Sequence, residues 1–137
     1  MSKDEKVPYV ELKNKKPKKY YLNNGREFIE AKEKDIFAYY VHEKELTHAG
    51  AYTMDDLNYK IINEKPLINK KVLIYRDSYH SALSWMLGDV FSEVEVVDPR
   101  HVSKFGNTSE NIARQTEADI VIFMFNDLSF KDMINQL

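Results

Sequence analysis

Cysteine is absent from this chain of 137 residues. Disulfides, thiolate metal sites and cysteine nucleophiles are therefore excluded, while the compartment stays open, because reducing and oxidising locations both tolerate such a chain. There is no glycine-rich phosphate loop, so no nucleotide cofactor is expected. The four histidines show no ligand spacing, and Asp77 with Asp98 is too sparse a carboxylate set for a metal site. No apolar run is long enough to span a membrane, and the charged start Met1-Ser2-Lys3-Asp4-Glu5-Lys6 lacks the apolar stretch that export requires. That start fits a cytosolic chain, or a mature or trimmed version of a longer one. Excess charge of one sign is missing too: 20 basic against 22 acidic residues leave a net −2, which gives no reason to expect nucleic acid. Internal repeats and low-complexity tracts are not seen.

What remains is the composition of an ordinary soluble domain, 43% apolar and 31% charged. A chain of this size makes one domain and buries a core without metal or disulfide staples. Seven of the lysines fall within residues 1–19, which read as a solvated N-terminal arm ahead of a single domain over 20–137. Val7-Pro8-Tyr9-Val10 and Tyr20-Tyr21-Leu22 have the length of edge strands, and Asn23-Asn24-Gly25 reads as a turn. Ile36-Phe37-Ala38-Tyr39-Tyr40-Val41 has strand length and strand composition. Thr47 can cap a helix from about His48 to Asn63, with Tyr52, Leu57 and Ile61 as its stripe.

From Lys71 onward the pattern sharpens. Val72-Leu73-Ile74-Tyr75, Val94-Glu95-Val96-Val97 and Ile120-Val121-Ile122-Phe123-Met124-Phe125 read as strands. Between and after them, residues 79–91, 110–118 and 129–137 read as helices. Apolar strands alternating with helices mean βαβ units and a parallel sheet, and nearly continuous apolar strands mean a sheet covered on both faces. The expected fold is α/β: a three-layer, Rossmann-like (flavodoxin-like) parallel sheet with helices on both sides.

Ligands of such sheets bind outside the carboxyl ends of the strands. Three polar clusters fall there: Arg76-Asp77-Ser78-Tyr79-His80, Asp98-Pro99-Arg100-His101 and Asn126-Asp127. Ser78 sits where a strand turns into a helix, which holds a hydroxyl out of the sheet beside backbone N–H groups able to stabilise an oxyanion. The plainer role for Ser78 or Asp77 is to cap that helix. The Asn126 amide can donate a second hydrogen bond to the same oxyanion, and Gly106 can bring a third donor from its backbone. A turn-forming Asn-Asp pair and a loop glycine are the plainer readings.

Asp77-Ser78 resembles the first block of the SGNH hydrolase superfamily, with Arg76 in place of its usual glycine. Gly106 is similar to the second block, and Met124-Phe125-Asn126-Asp127 to the third, Gly-x-Asn-Asp, without the glycine. The run from Lys71 to Asn126 also resembles the bacterial DHHW and alginate O-acetyltransferase-like families, where an Asp-Ser strand, an amphipathic helix and a strand like Val96-Val97-Asp98-Pro99-Arg100 follow in this order. Upstream, Thr47-His48-Ala49-Gly50-Ala51-Tyr52 fits the second half of those families' Asp-His-bearing stretch. In the first half, Glu43 stands at the aspartate position and Glu45 at the histidine position. The resemblance covers about residues 36–126 and implies a truncated SGNH-like domain.

The same resemblance implies a serine-dependent carbohydrate O-acyltransferase or esterase with Ser78 as nucleophile. Asn126 and Gly106 would hold the oxyanion; Arg76, Asp77 and Arg100 would bind substrate. A serine hydroxyl needs a base with a pKa near the working pH, which an imidazole supplies and an exposed glutamate does not. His42, His48, His101 and His80 are the candidates, with Glu43 to orient the base. Salt bridging with Asp77 or Asp98 is the competing role for both arginines. Tyr39, Tyr40, Tyr52, Tyr79 and Trp85 can stack on sugar rings or simply pack. The rival reading is a catalytically degenerate SGNH-like module that binds glycan or a protein partner. A carbohydrate or acyl-ester substrate and a periplasmic or extracellular location go with the resemblance.

Overall fold

Val72-Leu73-Ile74-Tyr75 offers apolar side chains to both faces of a strand, and such a strand belongs where both faces are covered. It lies in that position. The structure, a computed structural model, describes residues 17–24, 27–36, 58–78, 80, 83–127 and 130–135. The elements in chain order are β1 (Lys18–Asn23), β2 (Phe28–Ala31), α1 (Glu33–Ile36), β3 (Tyr59–Asn63), β4 (Ile68–Arg76), α2 (Ser84–Val90), β5 (Phe91–Val97), α3 (Pro99–Val102), α4 (Ser109–Gln115), β6 (Ile120–Met124) and α5 (Phe130–Ile134). The strands form one sheet in the order β2-β1-β3-β5-β4-β6.

The three strands expected from Lys71 onward are parallel to one another, β4 lying between β5 and β6. Reaching β5 and then β6 means stepping first to one side of β4 and then back past it. Crossovers of one hand that travel in opposite directions must lie on opposite faces. The packing shows this. Leu87 of α2 packs with Ile61, Val72, Ile74, Val94 and Val96 on one face, and Ile36 closes the same cluster. Val102 of α3 and Ile112 of α4 pack with Leu73, Tyr75 and Val97 on the other. The Tyr75 hydroxyl reaches through that layer to donate to the Ser109 carbonyl at 2.7 Å, and burial pushes its pKa up to about 12.

Two expectations are corrected. The sheet is mixed: β3 runs antiparallel to β5, β1 to β3 and β2 to β1, so the all-parallel flavodoxin-like arrangement does not hold. The helix expected over 48–63 also fails where it is described, because Tyr59–Asn63 is strand β3. Tyr59, Ile61 and Asn63 are buried and Lys60 and Ile62 less so, a period of two that the helical stripe through Ile61 obscured. Asn58 leads into the strand, its carbonyl accepting the Asn23 N–H and its Oδ1 accepting the Asp98 N–H.

Tyr20-Tyr21-Leu22 is strand as expected, but internal, with β2 outside it. Lys18 and Lys19 belong to β1. Ile36 ends α1, and the rest of the strand expected over 36–41 lies outside the described residues. Residues 7–10 lie outside them as well.

Candidate functional site

The ladder between β4 and β6 ends on the pair Arg76 and Met124, so the segments that follow, Asp77-Ser78 and Phe125-Asn126, leave the sheet side by side. Two bonds tie them. The Asp77 N–H donates to the Met124 carbonyl at 3.2 Å, and the buried Asp77 carboxylate accepts the Asn126 N–H at 2.8 Å. Ser78 follows in a tight turn, half-buried, with the His80 N–H donating back to the Asp77 carbonyl at 3.3 Å. Thus the candidate nucleophile and the candidate oxyanion amide come from adjoining strand ends.

The end of β5 supplies a charged cluster under this site. Asp98 is fully buried and caps α3 by accepting the Arg100 N–H at 3.0 Å, with Pro99 in the first helical turn where its missing N–H is no loss. Arg100 closes on the same carboxylate through Nε at 2.9 Å and through Nη2. Arg76, itself only 1% exposed, places Nη1 3.7 Å from Asp98 Oδ2, and His101 Nε2 stands at 4.0 Å. Two arginines share one buried acid, the pairing a low-dielectric site demands. The salt-bridging role thus describes both arginines. Arg100 alone of the expected substrate-binding trio, at 40% side-chain exposure, presents a guanidinium to solvent.

His80 is buried, and its pKa is lowered to about 4 by loss of solvent and by the Arg76 charge, with Asp77 opposing. It is neutral at physiological pH but too weak a base to suit general-base catalysis there. Gly106 ends the short 3-10 turn Ser103–Phe105 at φ 66°, a left-handed conformation that favours glycine, and its N–H donates to the Ser103 carbonyl at 3.0 Å. Serving an oxyanion would require that N–H to leave the turn. His42, His48 and Glu43 lie outside the described residues, as do Tyr39, Tyr40, Tyr52, Tyr79 and the side chain of Trp85.

No protein-family description matches the chain, and no curated protein does. Among solved structures it is similar to PatB1 of Bacillus cereus, with a TM-score of 0.66 and 18% identity over 81% of this chain and 36% of PatB1. A second PatB1 structure, carrying a sulfonyl adduct, gives the same figures. The likeness is one of fold. This chain spans about a third of PatB1's length.

A cavity of about 250 Å³ opens elsewhere, at the amino-terminal end of the parallel strands, between the β3-β5-β4 face and residues 115–118. Its charged lining is already paired, Lys60 with Glu93 and Glu95, and Lys71 with Glu117. The chemistry legible in the chain lies at the other end of the sheet. Sequence reading offered salt bridges of both arginines with Asp77 or Asp98, and both pair with Asp98. It missed the Asp77–Asn126 bond, which joins residues distant in the chain and was hinted at only by the common position of the clusters at strand ends. Among the described residues, no helix is long and apolar enough to cross a membrane.

Proposed function

We propose that this domain is a serine-dependent carbohydrate O-acyltransferase or esterase in which Ser78 is the nucleophile. The observation that carries the reading is the bonded junction of Asp77-Ser78 with Asn126 at the carboxyl end of a parallel strand pair. In this reading the Ser78 hydroxyl attacks an acyl carbonyl while an imidazole takes its proton. The carbonyl oxygen becomes an oxyanion held by the Ser78 N–H and the Asn126 side-chain amide. Collapse expels the alcohol, which regains the proton, and leaves the acyl group on Ser78 for a sugar hydroxyl or water to remove. His42, His48 or His101 is the base, oriented by a carboxylate such as Glu43. Arg100 meets an anionic group of the substrate, and Arg76 and Asp77 support the site from beneath.

Hydrolysis of an activated acetyl ester by the wild type and by Ser78→Ala tests this. Sulfonyl reagents react with activated hydroxyls, so a sulfonyl fluoride followed by mass spectrometry provides a second readout. Turnover and labelling that both vanish in Ser78→Ala support the reading. Equal background rates in both proteins, with no label on Ser78, would sink it and leave a non-catalytic binding module.

A further inference from the structure

We infer that Asp77 is the positioning residue that sets Asn126 against Ser78, an inference that rests on the function proposed above. A strand that leaves a sheet loses its ladder partners, and its next N–H groups must find other acceptors. On β6 the last paired residue is Met124, whose carbonyl accepts the Asp77 N–H at 3.2 Å. Two residues further on, the Asn126 N–H would next be served by a continuing β4. The chain has already turned away there, into the bend that carries Ser78. The Asp77 carboxylate takes the place of the missing backbone acceptor, at 2.8 Å from the Asn126 nitrogen.

The choice of group has consequences. An ionised carboxylate accepts a backbone N–H about twice as strongly as a neutral acceptor does. Asp77 is 1% exposed, so bulk water does not compete for this bond. Asp77 is covalently joined to Ser78, so the bond fixes Asn126 to the residue preceding the nucleophile rather than to the sheet at large. Its main chain serves both directions at once, with its N–H on Met124 and its carbonyl accepting the His80 N–H that closes the turn. One residue therefore holds the nucleophile turn and the oxyanion amide in a common frame, while touching no reacting atom.

The test combines kinetics with a structural probe. Asp77→Ala and Asp77→Asn are compared with wild type and with Asn126→Ala, each corrected for its folded fraction. Loss of the lock lowers kcat for the activated ester by about 100-fold in Asp77→Ala, with KM little changed, because a misplaced oxyanion donor acts only in the transition state. Because Asp77 acts through Asn126, the double variant Asp77→Ala/Asn126→Ala is no slower than Asn126→Ala alone. In Asp77→Asn the amide proton of Asn126 shifts upfield in a 1H–15N spectrum as its charged acceptor is lost. Additive kinetic losses, or an unmoved Asn126 resonance, overturn the inference. If the wild type shows no turnover dependent on Ser78, the proposed function fails by itself. The Asn126 resonance then still decides whether Asp77 holds this strand end.

Discussion

Beneath Ser78, buried charges from the ends of β4 and β5 are packed among apolar strands, and they set how the site responds to acid. His80 lies fully buried near Arg76 and Asp77, and its pKa falls to about 4 from an ordinary 6.5 because burial and the Arg76 charge both disfavour the imidazolium. Between those two values the unfolded chain holds a proton at His80 that the folded chain lacks. Its contribution to stability is therefore complete above about pH 6.5 and is lost as the pH falls toward 4. The full effect is on the order of 3 kcal/mol. Thermal melts at pH 7 and pH 5 should show a marked drop for the wild type and a smaller one for His80→Gln. An equal drop in both would assign the acid sensitivity to other groups. At this scale the sequence showed the places of the candidate residues but left most of their bonds open. Ser78, Asp77 and Asn126 were legible from their places after strands, and Asp98 with Arg100 from a short motif. The Arg76–Asp98 pairing and the bond from Asp77 to the Asn126 backbone depend on strand order, which the chain does not spell out locally.

Among the elements, α2 shows how closely a helix can lie on this sheet. Gly88 faces β3, where a Cβ would come within 3.0 Å of Ile61 Cδ1 and 3.1 Å of Cγ2, and Ile61 is itself in the core. The Asn63 side chain fastens the same crossing, donating to the Gly88 and Asp89 carbonyls at 3.0 and 3.1 Å as the helix ends. Gly88→Val, which adds a branched side chain there, should destabilise by about 1–3 kcal/mol through overpacking, read as a lower denaturation midpoint with an unchanged slope. An unaltered midpoint would mean that β3 and α2 separate easily. This crossing also explains which elements sequence reading captured. The helices after Lys71 alternate with uninterrupted apolar strands, and both periods were legible. β3 was not, because Ile61 shares a strand face with Tyr59 and also continues a helical stripe through Leu57, and only the pairing of β3 with β1 and β5 separates the two. Of the antiparallel strands, β1 was expected through Tyr20-Tyr21-Leu22, but β2 was not, nor were the pairings of β1 with β2 and β3, which join segments that no local pattern links.

For the molecule as a whole, the two edges of the sheet differ in their protection. Strand β2 carries Glu30 within its four residues, whereas β6, Ile120-Val121-Ile122-Phe123-Met124, carries no charge at all. Among the described residues β6 pairs on one side only, with β4, and leaves Val121 42% and Phe123 54% exposed on the face it shares with Leu73 and Tyr75. An uncharged, β-branched edge is a template for pairing with another strand, and folded proteins commonly guard such edges with lysine. Phe123 is a poor place to add that guard, because its ring stacks on Tyr75 at 5.6 Å and its loss would disturb the core. Val121 makes the cleaner test. With Val121→Lys, self-association on concentrating the protein should fall, as followed by light scattering, while the melting temperature stays within a few degrees of wild type. If Val121→Lys associates as readily as wild type, the sticky surface is not this edge. If instead it melts far lower, Val121 is held by packing that the exposed face does not reveal.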